Sequence, residues 1–223
     1  MALLLMGTPV KLLEKMKHNP YKIVQMFEEE IAEYTNAKYA VALDNCTDAL
    51  FLSCIYHKIK KVTIPKKTYL SVPQAIISAG GMVDFEDLEW SGIYQLKPYP
   101  IYDSARRFTS SMYIPNTLMC LSFHPKKTLK MRKGGMILTD DYEAYQWLKR
   151  ARHEGRGEIP YREDDITFVG WNMYMTPPEA ADGLWLMQGM PQNNEDSKEE
   201  YPDLTKLTLF KNYVTHHDTP LSV

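Results

Sequence analysis

Residues 120–136 read CLSFHPKKTLKMRKGGM, and this stretch decides the fold. An apolar strand, predicted over Leu118–Phe123, ends in a Ser-Phe-His-Pro corner that leads into a basic loop. After Gly134 and Gly135 a second apolar strand is predicted over Met136–Thr139. In an α/β protein, such a loop lies at the edge of the sheet that displays the ligand site. A solvated surface loop is the alternative for its lysines. The candidate ligand contacts are Lys126, Lys127 and Lys130.

An aspartate ends a neighbouring predicted strand. Ile101–Asp103 is a short apolar strand that closes on this acid, and Ser104-Ala105-Arg106 follows it. A lysine at one strand end and an aspartate at another provide the two charged contacts that pyridoxal phosphate (PLP) needs. These contacts are a Schiff-base amine and a carboxylate that faces the pyridinium nitrogen.

The remaining chain alternates between strands and helices, which predicts a three-layer α/β/α fold with a mainly parallel sheet. Apolar residues recur at helical spacing from Pro20 to Tyr34, and the acids between them, which begin at Glu28, predict a solvated helix face. Strands are predicted over Lys38–Leu43, Lys61–Ile64 and Met82–Phe85, and helices over Thr47–Tyr56, Ser71–Ala79, from Asp140 or Asp141 to about Gly155, and from Pro177 to about Met187. Residues 86–100 carry little pattern.

The amino-acid composition limits the classes of protein to which this chain can belong. The 223 residues are 44% hydrophobic and 24% charged with a net charge of −2, which gives no reason to expect nucleic acid or an anionic membrane as a partner. No segment reaches membrane-spanning length. The spacing of the three cysteines does not match that of metal ligands, which predicts no metal site, a reduced state and a cytoplasmic location.

We predict a large domain over residues 1–190 and a polar extension, a docking helix or a tail, over residues 191–223.

From about Phe27 to Gln188, the chain resembles the DegT-like sugar aminotransferases, PLP-dependent enzymes of the aspartate aminotransferase superfamily (fold type I). The most specific part of the resemblance is S-F-H-P-x-K followed by Gly-Gly, which matches Ser122–Lys127 with Gly134 and Gly135. The resemblance implies the large domain of the PLP-transferase fold. The small C-terminal domain of that family is largely missing from this chain.

The resemblance assigns the catalytic pair to Lys127 and Asp103. Lys127 lies five residues beyond Ser122, at the position of the family's Schiff-base lysine, and a register one residue earlier would make Lys126 the catalyst. Asp103 matches the carboxylate that keeps the pyridine nitrogen protonated. Burial beside a cationic neighbour would favour the neutral, nucleophilic amine at the lysine.

The resemblance also implies a set of cofactor-binding residues. Cys46 and Thr47 follow Asn45 at the start of a helix and match the family's S-G-T phosphate cradle, with cysteine in place of glycine. Ser122 matches a second phosphate contact, and Tyr69 matches the aromatic residue that stacks on the ring, although a core tyrosine is the alternative. The remaining two are Arg106, where the family has glutamine, and Asn172, which matches an asparagine supplied by the partner subunit.

The implied reaction moves an amino group from glutamate to a keto sugar linked to a nucleotide, in a homodimer with shared active sites. Three alternatives remain open. The first is a PLP enzyme that acts on a small keto acid or amine, and the second is a non-catalytic binding protein derived from the fold. The third is an unrelated nucleotide-binding domain, which gives no reason for Asp103, Tyr69 and Asn172 to occur together.

Overall fold

Seven strands and five α-helices occur along residues 19–212, the part of the chain that the computed structural model describes. Residues 1–18 and 213–223, the outer ends of the two predicted domains, lie outside this range. The strands are β1 (Tyr39–Leu43), β2 (Lys61–Pro65), β3 (Met82–Glu86), β4 (Tyr94–Gln95), β5 (Ile101–Asp103), β6 (Leu118–Ser122) and β7 (Gly135–Thr139). The helices are α1 (Lys22–Thr35), α2 (Cys46–Tyr56), α3 (Ser71–Ser78), α4 (Tyr142–Ala151) and α5 (Pro177–Met187). Short 3-10 turns cover Tyr161–Glu163, Leu204–Lys206 and Thr208–Asn212.

The strand pairing brings the carboxyl ends of five strands to one edge. The main sheet has the order β1-β7-β6-β5-β4, with β5 and β6 parallel and the other neighbours antiparallel. Strands β2 and β3 form a parallel pair, and Thr63 of β2 bridges to Lys97, just beyond β4, in the antiparallel sense. It follows that β1, β2, β3, β5 and β6 point one way and that β4 and β7 oppose them.

Alternate residues of the strands in the main sheet enter two different cores. In β1, Ala40 and Ala42 pack with α1 and α5, whereas Val41 and Leu43 pack with α2, α3 and α4. Because successive side chains of a strand point to opposite faces, this pattern requires a sheet that is covered on both sides. The predicted three-layer α/β/α class is confirmed.

One acid of α1 departs from the predicted solvated face. Glu28 is only 3% exposed and accepts a hydrogen bond from the Ala42 N–H at 2.8 Å, while Arg152 and Lys149 of the α4 region form ion pairs with it. Burial opposes ionisation, but the two cations and the Ala42 hydrogen bond outweigh it and hold the pKa of Glu28 below its usual value. The prediction was wrong here because Glu28 joins α1 to β1 and α4.

Most predicted elements match the observed ones to within two or three residues, whereas β4 was missed. This strand has only two residues, Tyr94 and Gln95, which is too short to produce a periodic pattern. In residues 19–212, no helix combines the length and apolar character needed to cross a bilayer.

Candidate active site

A cavity of about 400 Å³ lies at the edge of the sheet where the parallel strands end. Six of the eight predicted site residues line it. Loops after β1, β5 and β6 contribute side chains, as do the start of α3 and a part of the C-terminal segment. The lining includes Asn45, Cys46, Thr47, Tyr69, Trp90, Asp103, Ser122, Lys126, Lys127, Gly134, Glu199 and Tyr201.

Lys127 is directed into the cavity by the turn that follows β6. Its N–H donates to the carbonyl of His124 at 2.8 Å, and buried Phe123 and Leu129 hold the two ends of the turn in the core. Lys127 is 9% exposed and its amine forms an ion pair with Glu199, whereas Lys126 is exposed at the rim. Of these two adjacent lysines, the geometry therefore favours Lys127 as the reactive amine.

Asp103 is buried on the same cavity and is held at both oxygens. Its Oδ1 accepts from the Ala105 N–H and its Oδ2 accepts from the Tyr94 hydroxyl, each at 2.9 Å. Tyr94 also hydrogen-bonds Thr68 at 2.6 Å. Burial raises the pKa of Asp103 above its usual value, although the two donors and the charge of Lys127 act the other way. A ligand cation near this carboxylate would relieve the cost of its burial.

The cradle is the part of the cavity formed by Asn45, Cys46, Thr47 and Ser122, and Gly135 packs against it from outside the lining. Asn45 caps α2 by accepting from the Asp48 N–H at 2.9 Å, and Thr47 Oγ1 hydrogen-bonds Ser71 Oγ at 2.7 Å. A Cβ at Gly135 would overlap the backbone of Asn45 and Cys46, so the start of β7 can pass this helix end only as glycine. The start of α2 is a site suited to an anion.

The mouth is the part of the cavity formed by Tyr69, Trp90, Glu199 and Tyr201. Tyr69 is 60% exposed and lies edge-on to Tyr201, with ring centroids 6.2 Å apart. Trp90 and Tyr201 are nearly parallel, with an interplanar angle of 8° and centroids 6.1 Å apart. Of these four residues, the sequence predicted only Tyr69. Because Tyr69 is exposed, the alternative that it is a core tyrosine does not hold.

Two predicted cofactor contacts lie away from the cavity lining. Arg106 Nε donates to the Ser197 carbonyl at 2.7 Å, and its guanidinium lies 4.8 Å from the centroid of the Trp90 ring. Asn172 is exposed and donates to Glu154 Oε1 at 2.8 Å. Arg106 is thus engaged by the C-terminal segment, and Asn172 lies at the surface.

The donor set of this cavity fits PLP. Lys127 supplies an amine, Asp103 a carboxylate, the cradle a helix N-terminus with hydroxyl groups, and Tyr69 an aromatic face at the mouth. The volume falls within the roughly 300–1,000 Å³ that small-molecule sites occupy.

Comparison with solved structures identifies the fold. Helicobacter pylori PseC, an aminotransferase involved in the biosynthesis of pseudoaminic acid, aligns with a TM-score of 0.65 and 16% identity over 82% of this chain and 62% of its own. Bacillus subtilis NtdA, solved with bound cofactor PMP, aligns with a TM-score of 0.64 and 17% identity over 81% of this chain and 51% of its own. The fold is therefore that of the PLP-dependent aminotransferases.

The sequence comparisons then identify the family. The pattern of the DegT/DnrJ/EryC1/StrS aminotransferase family matches residues 10–105 and 115–217, so the chain belongs to this family. A UDP-4-amino-4,6-dideoxy-N-acetyl-beta-L-altrosamine transaminase of Campylobacter jejuni is 22% identical over 80% of this chain and 60% of its own length. The GDP-perosamine synthase of Escherichia coli O157:H7 is 28% identical over 72% and 56%, respectively. This chain thus spans less than two thirds of either relative.

Proposed function

We propose that this chain binds PLP and transfers an amino group from glutamate to a keto sugar linked to a nucleotide. The observation that carries the proposal is the placement of Lys127 and Asp103, both buried, on one cavity beside the N-terminus of α2. The relatives named above support a nucleotide-sugar substrate because their names describe a UDP-sugar transaminase and a GDP-perosamine synthase.

Each site residue has a defined task in this proposal. Bound PLP supplies an aldehyde carbon and an electron-withdrawing ring that makes the substrate Cα–H more acidic. The Lys127 amine would hold that aldehyde carbon in the resting enzyme and, once released, would carry the proton to and from the substrate carbon. Asp103 would keep the ring nitrogen protonated. The phosphate would lie in the cradle against Cys46, Thr47 and Ser122, and Tyr69 would cover the ring.

The proposed active unit is a homodimer with shared sites. Asn172 is exposed and does not line the cavity of its own chain, which is the placement expected if it reaches the phosphate of a partner. In a two-fold dimer the contact would be reciprocal.

Arg106 remains a proposed contact of the ring hydroxyl when the cofactor is bound, which would require Arg106 to leave Ser197. The three cysteines form no disulfide within residues 19–212, in keeping with the proposed cytoplasmic location.

A binding protein derived from the same fold is the second candidate. The observation that favours it is the ion pair between Lys127 and Glu199, because a carboxylate of the same chain already engages the amine that the reaction needs. A PLP enzyme that acts on a small keto acid or amine would use the same Lys127 and Asp103. The Lys127–Glu199 ion pair therefore does not favour that alternative.

A two-stage measurement separates an aminotransferase from a binding protein. PLP is first added to the purified protein, the product is reduced with borohydride, and the labelled residue is identified by mass spectrometry; we expect a pyridoxyl group on Lys127. Glutamate is then added to unreduced protein, and loss of the visible cofactor band would report amino transfer. Labelling without a response to any amino donor would favour the binding protein, and absence of both would refute the cofactor assignment.

A further inference from the structure

The C-terminal segment from Gln192 to Leu204, here termed the strap, crosses the mouth of the cavity. Its first half is anchored beside β5. Arg107 forms two hydrogen bonds with Asp196, at 2.8 and 2.7 Å, and Arg106 and Ser197 exchange two more, each at 2.7 Å. A Cβ at Gly92 would overlap the Asp196 carboxylate, so the strap fits closely at this point.

The second half is anchored beside β2 and β3. Leu204 is fully buried, and its N–H donates to the Lys66 carbonyl at 2.9 Å. Just beyond the strap, Phe210 is 1% exposed and packs edge-on against Phe85 with ring centroids 5.6 Å apart. The strap is therefore fastened at both ends by contacts that lie outside the cavity.

Between these anchors, Glu199 and Tyr201 reach the candidate active site. Glu199 forms an ion pair with Lys127, and the Tyr201 hydroxyl donates to the same carboxylate at 2.5 Å. Burial opposes ionisation of Glu199, but the hydrogen bonds from Lys127 and Tyr201 outweigh it and keep its pKa below the usual value. The middle of the strap thus places a charged carboxylate on the candidate reactive amine.

We infer that the strap is an intramolecular gate, in which Glu199 engages the Lys127 amine in an ion pair and must move before an anionic aldehyde can reach that amine. An amine held by a carboxylate is not free to attack a carbonyl carbon, and the negative charge of Glu199 repels an anionic ligand. The anchors at Asp196 and Leu204 stay in place while the middle opens. The inference rests on the proposed function only for the identity of the ligand, PLP.

The gate can be tested without any cofactor by measuring how fast Lys127 is acetylated. Trace labelling with acetic anhydride, followed by mass spectrometry, reports the accessible neutral amine at each lysine. We expect acetic anhydride to acetylate Lys127 about tenfold faster in Glu199→Gln than in the wild type. This rate difference is equivalent to about 1.4 kcal/mol. Glu200→Gln is the matched control because Glu200 is the next residue and is exposed. Equal rates in Glu199→Gln and the wild type would overturn the inference.

A second variant distinguishes a gate from a simple ion pair. Asp196→Ala removes the Arg107 anchor and leaves Glu199 unchanged, so the middle of the strap, now held less firmly at one end, should leave Lys127 more often and speed its acetylation several-fold. No change in Asp196→Ala, in protein with an unchanged melting temperature, would overturn the gate even if Glu199→Gln reacted faster. The rate of PLP binding should rise in both variants. If acetylation responds as expected but PLP binds to none of the proteins, the gate stands and the proposed function fails.

Discussion

The cradle and the mouth are two parts of one cavity that are built by different means. The cradle is made of backbone: the capped start of α2 and the glycine at the start of β7, which approach each other too closely for a side chain. The mouth is made of side chains from three separate segments, which meet through ring contacts and one ion pair. Backbone built into helices and strands is costly to move, whereas side-chain contacts at a surface exchange readily.

This difference suggests a division of labour. The cradle, which is rigid, would bind the phosphate of a ligand. The mouth, whose side chains can move, would control entry to the reacting amine. The five predictions that follow test this division, beginning with the largest expected effect.

Lys127→Ala should abolish covalent attachment of PLP, while non-covalent binding through the cradle persists. The reason is that the phosphate contacts do not involve the amine. Borohydride fixation and mass spectrometry measure attachment, and equilibrium dialysis measures binding. Lys126→Ala is the matched control and should retain the label on Lys127. A pyridoxyl group found on Lys126 or Lys130 in the wild type would move the reactive amine to that residue.

Asp103→Asn should slow the glutamate half-reaction by about 100-fold or more, because the ring nitrogen would lose the anion that keeps it protonated. Conversion of the bound cofactor can be followed by its absorbance in a single turnover. Asp84→Asn is a suitable control, since Asp84 lies on β3 and pairs with Lys61 at 2.7 Å. An unchanged rate in Asp103→Asn would remove this carboxylate from the reaction.

Mixed dimers should show that Asn172 completes the cradle of its partner. When Lys127→Ala and Asn172→Ala chains exchange at random, about half of the dimers are mixed, and each mixed dimer has one site without a lesion. Activity should then recover to about a quarter of that of the wild type. A catalytically active monomer in sedimentation, or inactive dimers that are demonstrably mixed, would contradict shared sites.

Gly135→Ala should destabilise the protein by about 2–3 kcal/mol because the new Cβ would push the start of β7 away from the start of α2. Denaturant unfolding measures the change. Gly189→Ala serves as the control, since a Cβ there meets no atom within 4 Å. A loss of similar size in both variants would mean that the cradle is not closely packed.

Asp48→Asn should have the smallest effect and the opposite sign. Burial, together with the charge of Asp44, raises the pKa of Asp48 to about 6, above the value near 4 of an unfolded chain. The ionised form is therefore unfavourable in the folded protein above about pH 6, and this cost disappears as the pH falls below 4. The asparagine variant should be about 1 kcal/mol more stable at pH 7.5, after allowance for solvent screening, and no more stable at pH 3.5. A constant difference across this range would contradict the shift.

The predicted site residues that line the cavity belong to local patterns. Asp103 ends the short apolar strand β5, and Lys127 lies in the turn after β6; a strand end can be located from its own residues and the turn beyond it. Cys46 and Thr47 start a helix whose capping residue immediately precedes them. The parallel strands then bring these positions together.

The residues that the sequence missed depend on contacts between distant segments. Glu199 is 72 residues from Lys127 and lies in a polar run without periodicity, so the run read as an extension or a tail. Tyr94 belongs to the two-residue β4, and its hydroxyl is recognisable as a partner of Asp103 only once β4 pairs with β5. Arg106 stands where the family has glutamine. Its contact with Ser197 can be recognised only when the strap is in place.

The two anchors of the strap have a consequence for competition at the site. A segment released only in its middle stays tethered, so Glu199 returns to Lys127 in an intramolecular step governed by an effective concentration on the order of millimolar. A free carboxylate in solution would compete with Glu199 only near that concentration. A phosphate-bearing aldehyde could compete at far lower concentration, because the cradle would hold it beside the amine while the strap is open.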